Sequence, residues 1–190
     1  MRPFRTFLLA LMLAAPAAAS AQQAGDFDIA ALAGGAQDVL ARTPDREVDG
    51  LFQALHGAMR RPDEARAICG LFDDGADRGL DGLNAVALRL QPDSRQRFAD
   101  AIAAALVAGL QGQPQRYDAA AAAQSLKSNA ARAAILHDGF SAGLAEGASA
   151  DARCTTLGQM LDVLGLRPQP ERASVLRLLL SQGLSQAAAR

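Results

Sequence analysis

Residues able to do chemistry are scarce in this chain, and the clearest combination is a histidine, an aspartate and a serine close together. On a helix, His137 and Ser141 would share one face, with Asp138 within reach of the serine. These residue types can supply a nucleophile, a base and an orienting carboxylate. A serine hydrolase also needs an oxyanion hole and a nucleophile on a rigid turn, which a serine in mid-helix lacks. We therefore interpret His137 as a surface or boundary histidine and keep a hydrolase as the least favoured function.

An acidic, glycine-rich stretch covers residues 73 to 82 and has some features of a calcium-binding loop. If such a loop began at Asp77, Asp81 and the glycine after it would fall at positions 5 and 6, as an EF-hand requires. Positions 3 and 12 would be Gly79 and Leu88, where oxygen ligands belong. Because short acids and glycines also form turns and helix caps, we predict a solvated connection, with a cation site as the alternative.

The remaining titratable residues suggest neither a metal site nor a cofactor. His56 is the only other histidine, and no H-x-x-x-H or H-E-x-x-H spacing supports it as a ligand. The only lysine, Lys127, lies two residues from Ser125 and would therefore project from nearly the opposite side of a helix. We predict no cofactor, no metal and no catalytic residue.

Two cysteines, Cys69 and Cys154, are the only ones in the chain. An even pair in an exported domain is most simply a disulfide, and we predict one here. Closing so long a loop would stabilise the fold by about 4 to 5 kcal/mol at most in the chain-entropy model. The alternative, a thiolate nucleophile, would need a nearby histidine and a reducing or protected environment.

Three glycines, Gly139, Gly143 and Gly147, follow one another at intervals of four residues. They fall in and just after a predicted helix over residues 117 to 146. Because glycine in a helix costs about 1 kcal/mol relative to alanine, such a row indicates that another backbone comes close. We predict a tight helix crossing inside the domain. The alternatives are a shallow groove for a partner helix or loop, and a simple helix end at Gly147.

The first residues have the features of a cleaved secretory signal. Arg2 and Arg5 precede an apolar run over residues 7 to 15, and small residues follow up to Ala21. We predict cleavage after Ala21, with Ala19 as the alternative, so that residues 1–21 are a signal peptide and 22–190 a single helical domain. The excess of arginine and alanine is typical of GC-rich bacterial genomes. The predicted location is the bacterial periplasm or the extracellular medium.

The charge balance limits the classes of partner. The chain has 19 basic and 20 acidic residues, and it would lose two arginines with the signal peptide. This balance gives no electrostatic attraction to nucleic acid or anionic lipid. No later segment reaches the roughly 20 apolar residues that cross a bilayer, so no stable membrane insertion is expected after cleavage. By exclusion we predict a non-enzymatic protein that binds another protein, as an inhibitor, immunity factor or assembly factor. The alternative is a carrier of a small apolar ligand between its helices.

The composition predicts an all-α fold. Alanine, leucine, arginine and glutamine dominate, and the alternating β-branched and aromatic runs of strands are missing. Helix-start signals with proline occur at positions 44, 62, 92, 114 and 170. Within the stretch from 91 to 112, residues 101 to 110 carry no charge, so this helix is expected to be buried. We predict an irregular bundle of about seven helices around this buried Ala/Leu-rich central helix, with one disulfide.

Overall fold

A computed structural model describes residues 29 to 188, and within them the chain is all-α. The predicted signal peptide lies outside the described residues. The described range contains eight α-helices: α1 Ile29–Arg42, α2 Asp45–Met59, α3 Pro62–Cys69, α4 Leu80–Arg89, α5 Pro92–Gln111, α6 Ala119–Leu136, α7 Ala150–Gly165 and α8 Gln169–Ala188. Two short 3₁₀ segments, Gly70–Phe72 and Phe140–Leu144, complete it. The predicted all-α bundle is confirmed, with eight helices in place of about seven.

Proline marks the beginning of several helices, as expected. Pro44 immediately precedes α2, and Pro62 and Pro92 are the first residues of α3 and α5. Pro114 does not begin a helix, because α6 begins only after Asp118. The Asp118 carboxylate accepts hydrogen bonds from the backbone N–H groups of Ala120 and Ala121, at 2.9 and 3.0 Å. Side-chain capping therefore fixes the start of α6.

The core lies between α2 and α8. Helix α2 packs against α5, α8, α7 and α3, while α8 packs against α1, α2 and α6. Phe52, the largest side chain of the main cluster, is 1 % exposed. The main cluster of buried apolar side chains comprises Leu40, Val48, Phe52, Leu161, Leu164, Ala173, Val175 and Leu176. The centre of the bundle is thus formed mainly by α2 and α8, with Leu161 and Leu164 of α7.

Helix α5 is not the buried centre, so that prediction is wrong. It packs against α1 and α2 along one side only, where small residues allow a close approach. A Cβ atom on Gly109 would lie 2.5 Å from the carbonyl oxygen of Val39 and 2.7 Å from Oγ1 of Thr43. Because alanine and glycine make this contact, the larger side chains of α5 remain outside. The exposed fractions are 48 % for Ile102, 47 % for Leu106, 55 % for Val107 and 68 % for Leu110.

The predicted helix over residues 117 to 146 is also shorter than expected. Helix α6 ends at Leu136, and His137 is extended. Gly139 and Gly147 have φ angles of +81° and +71°, a left-handed conformation that favours glycine and breaks the helix. Gly143 lies between them in the 3₁₀ segment. The three glycines therefore do not form a row on one helix.

The predicted disulfide between Cys69 and Cys154 is present, with Cα atoms 5.4 Å apart. It connects the last residue of α3 to the first half of α7. The Cys69 side chain is buried. A covalent bond thus joins the short helix α3 to α7, in addition to their packing.

Candidate functional site

Six exposed apolar side chains form a continuous stripe along the outer side of α5, which we call the α5 face. Their spacing of three and four residues keeps them on one side of the helix. No charged residue occurs from position 101 to 115. The members of the α5 face are Ala99, Ile102, Ala103, Leu106, Val107 and Leu110. Contiguous exposed apolar side chains of this kind mark interaction surfaces more often than scattered ones do.

A narrow cleft of about 130 Å³ adjoins the α5 face between α1, α2 and α5. Ile102 and Leu106 belong to both, so the cleft opens directly onto the face. The polar side chain in its wall, Thr43, turns its hydroxyl towards the carbonyl oxygens of Val39 (2.8 Å) and Ala105 (3.2 Å). The cleft wall consists of Val39, Leu40, Thr43, Leu51, Ile102, Ala105 and Leu106. Its size suits one apolar side chain, because pockets for small molecules usually exceed about 300 Å³.

Ion pairs hold the beginning of α5 in place. The Arg61 guanidinium donates to both carboxylate oxygens of Asp93, at 2.8 and 2.6 Å. Arg97, one turn further along α5, donates to Asp93 at 2.9 Å. Hydrogen bonds from Arg61, and then from Arg97, hold the pKa of Asp93 well below its usual range. The helix that carries the α5 face is therefore anchored by charge at its first turn.

A buried carboxylate strengthens this anchor. Glu64 is 1 % exposed, and its Oε1 accepts from Arg61 Nη1 at 3.0 Å and from the Gln91 N–H at 3.3 Å. The Ser94 hydroxyl oxygen accepts from Arg61 and Arg97, which leaves its hydrogen free for Glu64. Burial raises the pKa of Glu64. Hydrogen bonds from Ser94, Arg61 and Gln91 lower this pKa by a larger amount, so the carboxylate is charged at neutral pH. Helix α3 is thereby fixed to the start of α5.

The residues considered for hydrolase chemistry do not share a helix face. His137 lies at the end of α6 and is half-buried, Asp138 is exposed in the turn that follows, and Ser141 is exposed in the 3₁₀ segment. The arrangement predicted from helical spacing is therefore absent, because the Asp138-Gly139 turn ends α6 before it reaches Ser141.

The glycine positions divide into one internal contact and two turns. A Cβ atom on Gly143 would overlap the carbonyl oxygen of Ala152 and Oγ1 of Thr156 in α7. The Thr156 hydroxyl donates to the carbonyl oxygen of Phe140 at 2.6 Å and fixes this contact. The close backbone approach predicted at Gly143 thus occurs between the 3₁₀ segment and α7. Gly139 and Gly147 are turn residues that meet no neighbouring atom within 4 Å of an added Cβ.

The acidic stretch over residues 73 to 82 forms hydrogen bonds close by in the chain, whereas His56 pairs with a residue of another helix. Asp77 accepts a hydrogen bond from the Gly79 N–H at 2.8 Å, and Arg78 donates to backbone carbonyl oxygens of the same loop. His56 Nε2 lies 2.8 Å from Asp162 Oδ1 and connects α2 to α7. Between residues 29 and 188, no group of three or more His, Cys, Asp or Glu side chains is placed to hold a metal ion.

Sequence reasoning missed the α5 face because the charge-free run that marks it also predicted burial. A usable signal was present in the small residues at 101, 105, 108 and 109, which fall on the opposite side of α5 and form its inner contact. None of the described helices is long and apolar enough to cross a membrane. Comparison with protein-family models, curated proteins and solved structures found no match for this chain.

Proposed function

We propose that this chain is an exported, non-enzymatic helical protein that binds another protein through the α5 face. The observation that supports the proposal best is the exposure of Ile102, Leu106, Val107 and Leu110 on a stretch without charge. Each square ångström of apolar surface removed from water contributes about 25 cal/mol. A partner that covers these side chains therefore gains hydrophobic stabilisation without having to desolvate a charge.

The partner surface that fits best is an amphipathic helix. The α5 face is a narrow stripe, and a helix with apolar residues at intervals of three and four can lie along it. The cleft beside Ile102 and Leu106 admits one of its apolar side chains. Because the ion pairs of Asp93 with Arg61 and Arg97 hold α5 in place before binding, little ordering is required of the receptor side.

The cleft favours a protein partner over a small apolar ligand. Its volume of about 130 Å³ is well below that of usual ligand pockets, and it opens onto an exposed surface. A carrier function would require a larger enclosed space. A side chain presented by a partner helix needs only a small recess beside an extended contact.

Site-specific cross-linking tests the proposal. A photo-reactive residue at Val107 of the mature, oxidised protein should capture one dominant protein from the cell envelope of the source bacterium. The same residue at Ile135, which is 84 % exposed on α6, is the control and should not capture it. Leu106→Asp should weaken binding of the purified partner at least tenfold, a loss of about 1.4 kcal/mol. If Leu106→Asp left capture and affinity unchanged, the α5 face would not be the binding surface.

A further inference from the structure

The α5 face is complementary to itself when a second copy lies antiparallel to it. Ala99, Ala103, Leu106 and Leu110 follow at intervals of four, three and four residues, the spacing along which two helices pack in a coiled coil. If the second helix runs in the opposite direction, Ala99 of one copy faces Leu110 of the other, and Ala103 faces Leu106. Each leucine then meets an alanine, which leaves room for it.

A parallel pair would fit poorly. Ala99 and Ala103 would each face their own copy and leave a gap at one end, while the two leucines would meet at the other end. Protein contacts pack at high density, so such a gap is unfavourable. An antiparallel pair also aligns the two helix dipoles favourably.

The charges of the α5 face allow this pairing. The four residues on the pairing line are uncharged, and so are Ile102 and Val107, which flank it. Asp100 is exposed beside Ala99, but in the antiparallel pair it lies nine residues, about 13.5 Å along the helix, from its counterpart. Two copies of the same face therefore meet without opposing like charges. In a two-fold interface both copies use the same surface patch. The α5 face can do so, because each copy covers on its partner the residues that it presents itself.

The contact area sets the strength of the pair. With 20 residues, α5 is about 30 Å long, and a strip about 10 Å wide gives roughly 300 Å² for each copy. Stable specific interfaces bury about 800 Å² on each side. The pair is therefore expected to be weak and reversible, so that a better-fitting partner displaces it.

We infer that, when the partner is absent, a second copy of this chain covers the α5 face at high micromolar concentration, with the two α5 helices antiparallel. This inference rests on the proposed binding surface and adds how that surface is shielded and regulated. Self-association and partner binding then compete for Leu106 and Leu110. The dimer keeps the α5 face out of water, and partner binding converts the dimer into monomeric complexes.

Sedimentation of the mature, oxidised chain over a concentration series tests the pairing. The mass should rise from one copy towards two between low and high micromolar concentrations. Leu106→Asp and Leu110→Asp should keep the protein monomeric with unchanged helical content, because both side chains are already exposed. Ile135→Asp, which adds the same charge on α6, should still dimerise. A wild-type protein that stays monomeric at all concentrations, or a Leu106→Asp variant that still dimerises, would overturn the inference.

Disulfide trapping tests the direction. In the antiparallel pair, Ala99→Cys on one copy should cross-link to Leu110→Cys on the other under mild oxidation. Ala99→Cys alone should not cross-link, because its two copies lie about 16 Å apart along the helix, beyond the reach of a disulfide. Efficient cross-linking of Ala99→Cys with itself would exclude the antiparallel arrangement.

The two proposals can fail separately. A monomeric protein that captures a partner through Val107 would refute the dimer and leave the proposed function intact. A dimer that is disrupted by Leu106→Asp, but captures no other protein, would support the pairing and contradict the proposed function.

Discussion

The side chain of Arg177 is almost completely buried, with 3 % exposure, and it closes the end of α1. Its Nη2 donates to the carbonyl oxygen of Thr43 at 2.6 Å and to Asp45 Oδ1 at 3.0 Å, and its Nη1 donates to the carbonyl oxygen of Leu40. The carbonyl oxygen of Leu40 otherwise accepts only a long hydrogen bond from the Thr43 N–H, at 3.3 Å, so the guanidinium supplies donors that the end of α1 lacks. The sequence offered no signal for this role, since buried arginines are rare and depend on tertiary partners.

Replacing Arg177 should therefore be strongly destabilising. We expect Arg177→Leu to lower the free energy of unfolding by about 2 to 4 kcal/mol, because the carbonyl oxygens of Leu40 and Thr43 lose a buried donor, while the exposed Asp45 loses only a surface ion pair. Arg132→Leu, at an exposed position of α6, should change it by less than about 0.5 kcal/mol. Urea unfolding measures both. A loss below about 1 kcal/mol for Arg177→Leu would show that water replaces the guanidinium.

The carboxylate of Glu171 predicts how stability depends on pH. It accepts from Ser125 Oγ and Asn129 Nδ2, both at 2.8 Å, and pairs with Arg167 at 3.2 Å. Burial raises the pKa of Glu171, but these donors outweigh burial and hold its pKa below the ordinary 4.5. The unfolded chain therefore takes up a proton first as pH falls. The stabilisation is complete above about pH 4.5 and is lost as pH falls through the folded pKa.

We expect Glu171→Gln to lower the free energy of unfolding at pH 7 by about 1 to 2 kcal/mol and to make its decline below pH 4.5 shallower. Urea midpoints measured from pH 7 to pH 3 would show both effects. Glu146→Gln, at an exposed position, should leave the pH dependence as in the wild type. If the urea midpoint of Glu171→Gln declined below pH 4.5 as steeply as that of the wild type, other carboxylates would be responsible for the loss of stability in acid.

At the scale of elements, two helical glycines should respond to alanine in opposite directions. A Cβ on Gly109 of α5 would come within 2.7 Å of atoms of Val39 and Thr43, whereas a Cβ on Gly158 of α7 would meet nothing within 4 Å. We expect Gly109→Ala to destabilise the protein by about 1 to 3 kcal/mol through overpacking. Gly158→Ala should stabilise it by about 0.5 to 1 kcal/mol through helix propensity. Thermal unfolding distinguishes them, and a stabilising Gly109→Ala would mean that α5 can shift away from α1.

Sequence reasoning identified the elements better than their surroundings. Helix starts at Pro44, Pro62 and Pro92 are local, because the residue itself restricts the backbone. The end of α6 was locally coded too, in the Asp138-Gly139 turn, but the glycine spacing was read as a packing row. Burial of α5 was predicted wrongly because a charge-free run does not say how many sides have neighbours. Only the contact through Gly109 and Ala105, which depends on α1 and α2, decides which side stays exposed.

For the whole molecule, the predicted signal peptide can be tested on the natural protein. We expect the mature chain to be recovered from the periplasm or the culture medium with Gln22 as its first residue. Amino-terminal sequencing, or the intact mass, measures this. An intact Met1 in the cytoplasmic fraction would contradict export and would remove the oxidising environment on which the disulfide depends.

The disulfide should contribute strongly to the resistance of the bundle to unfolding by urea. Cys69 and Cys154 are separated by 85 positions, and the chain-entropy model gives about 4 to 5 kcal/mol for a loop of this length. The main core between α2 and α8 does not include either cysteine, so helical content at 25 °C should survive Cys69→Ala/Cys154→Ala. The urea midpoint of this double variant should fall to that of the reduced wild type, well below the oxidised protein. Equal midpoints for the oxidised and reduced protein would mean that the packing of α3 against α7 holds the two helices together without the bond.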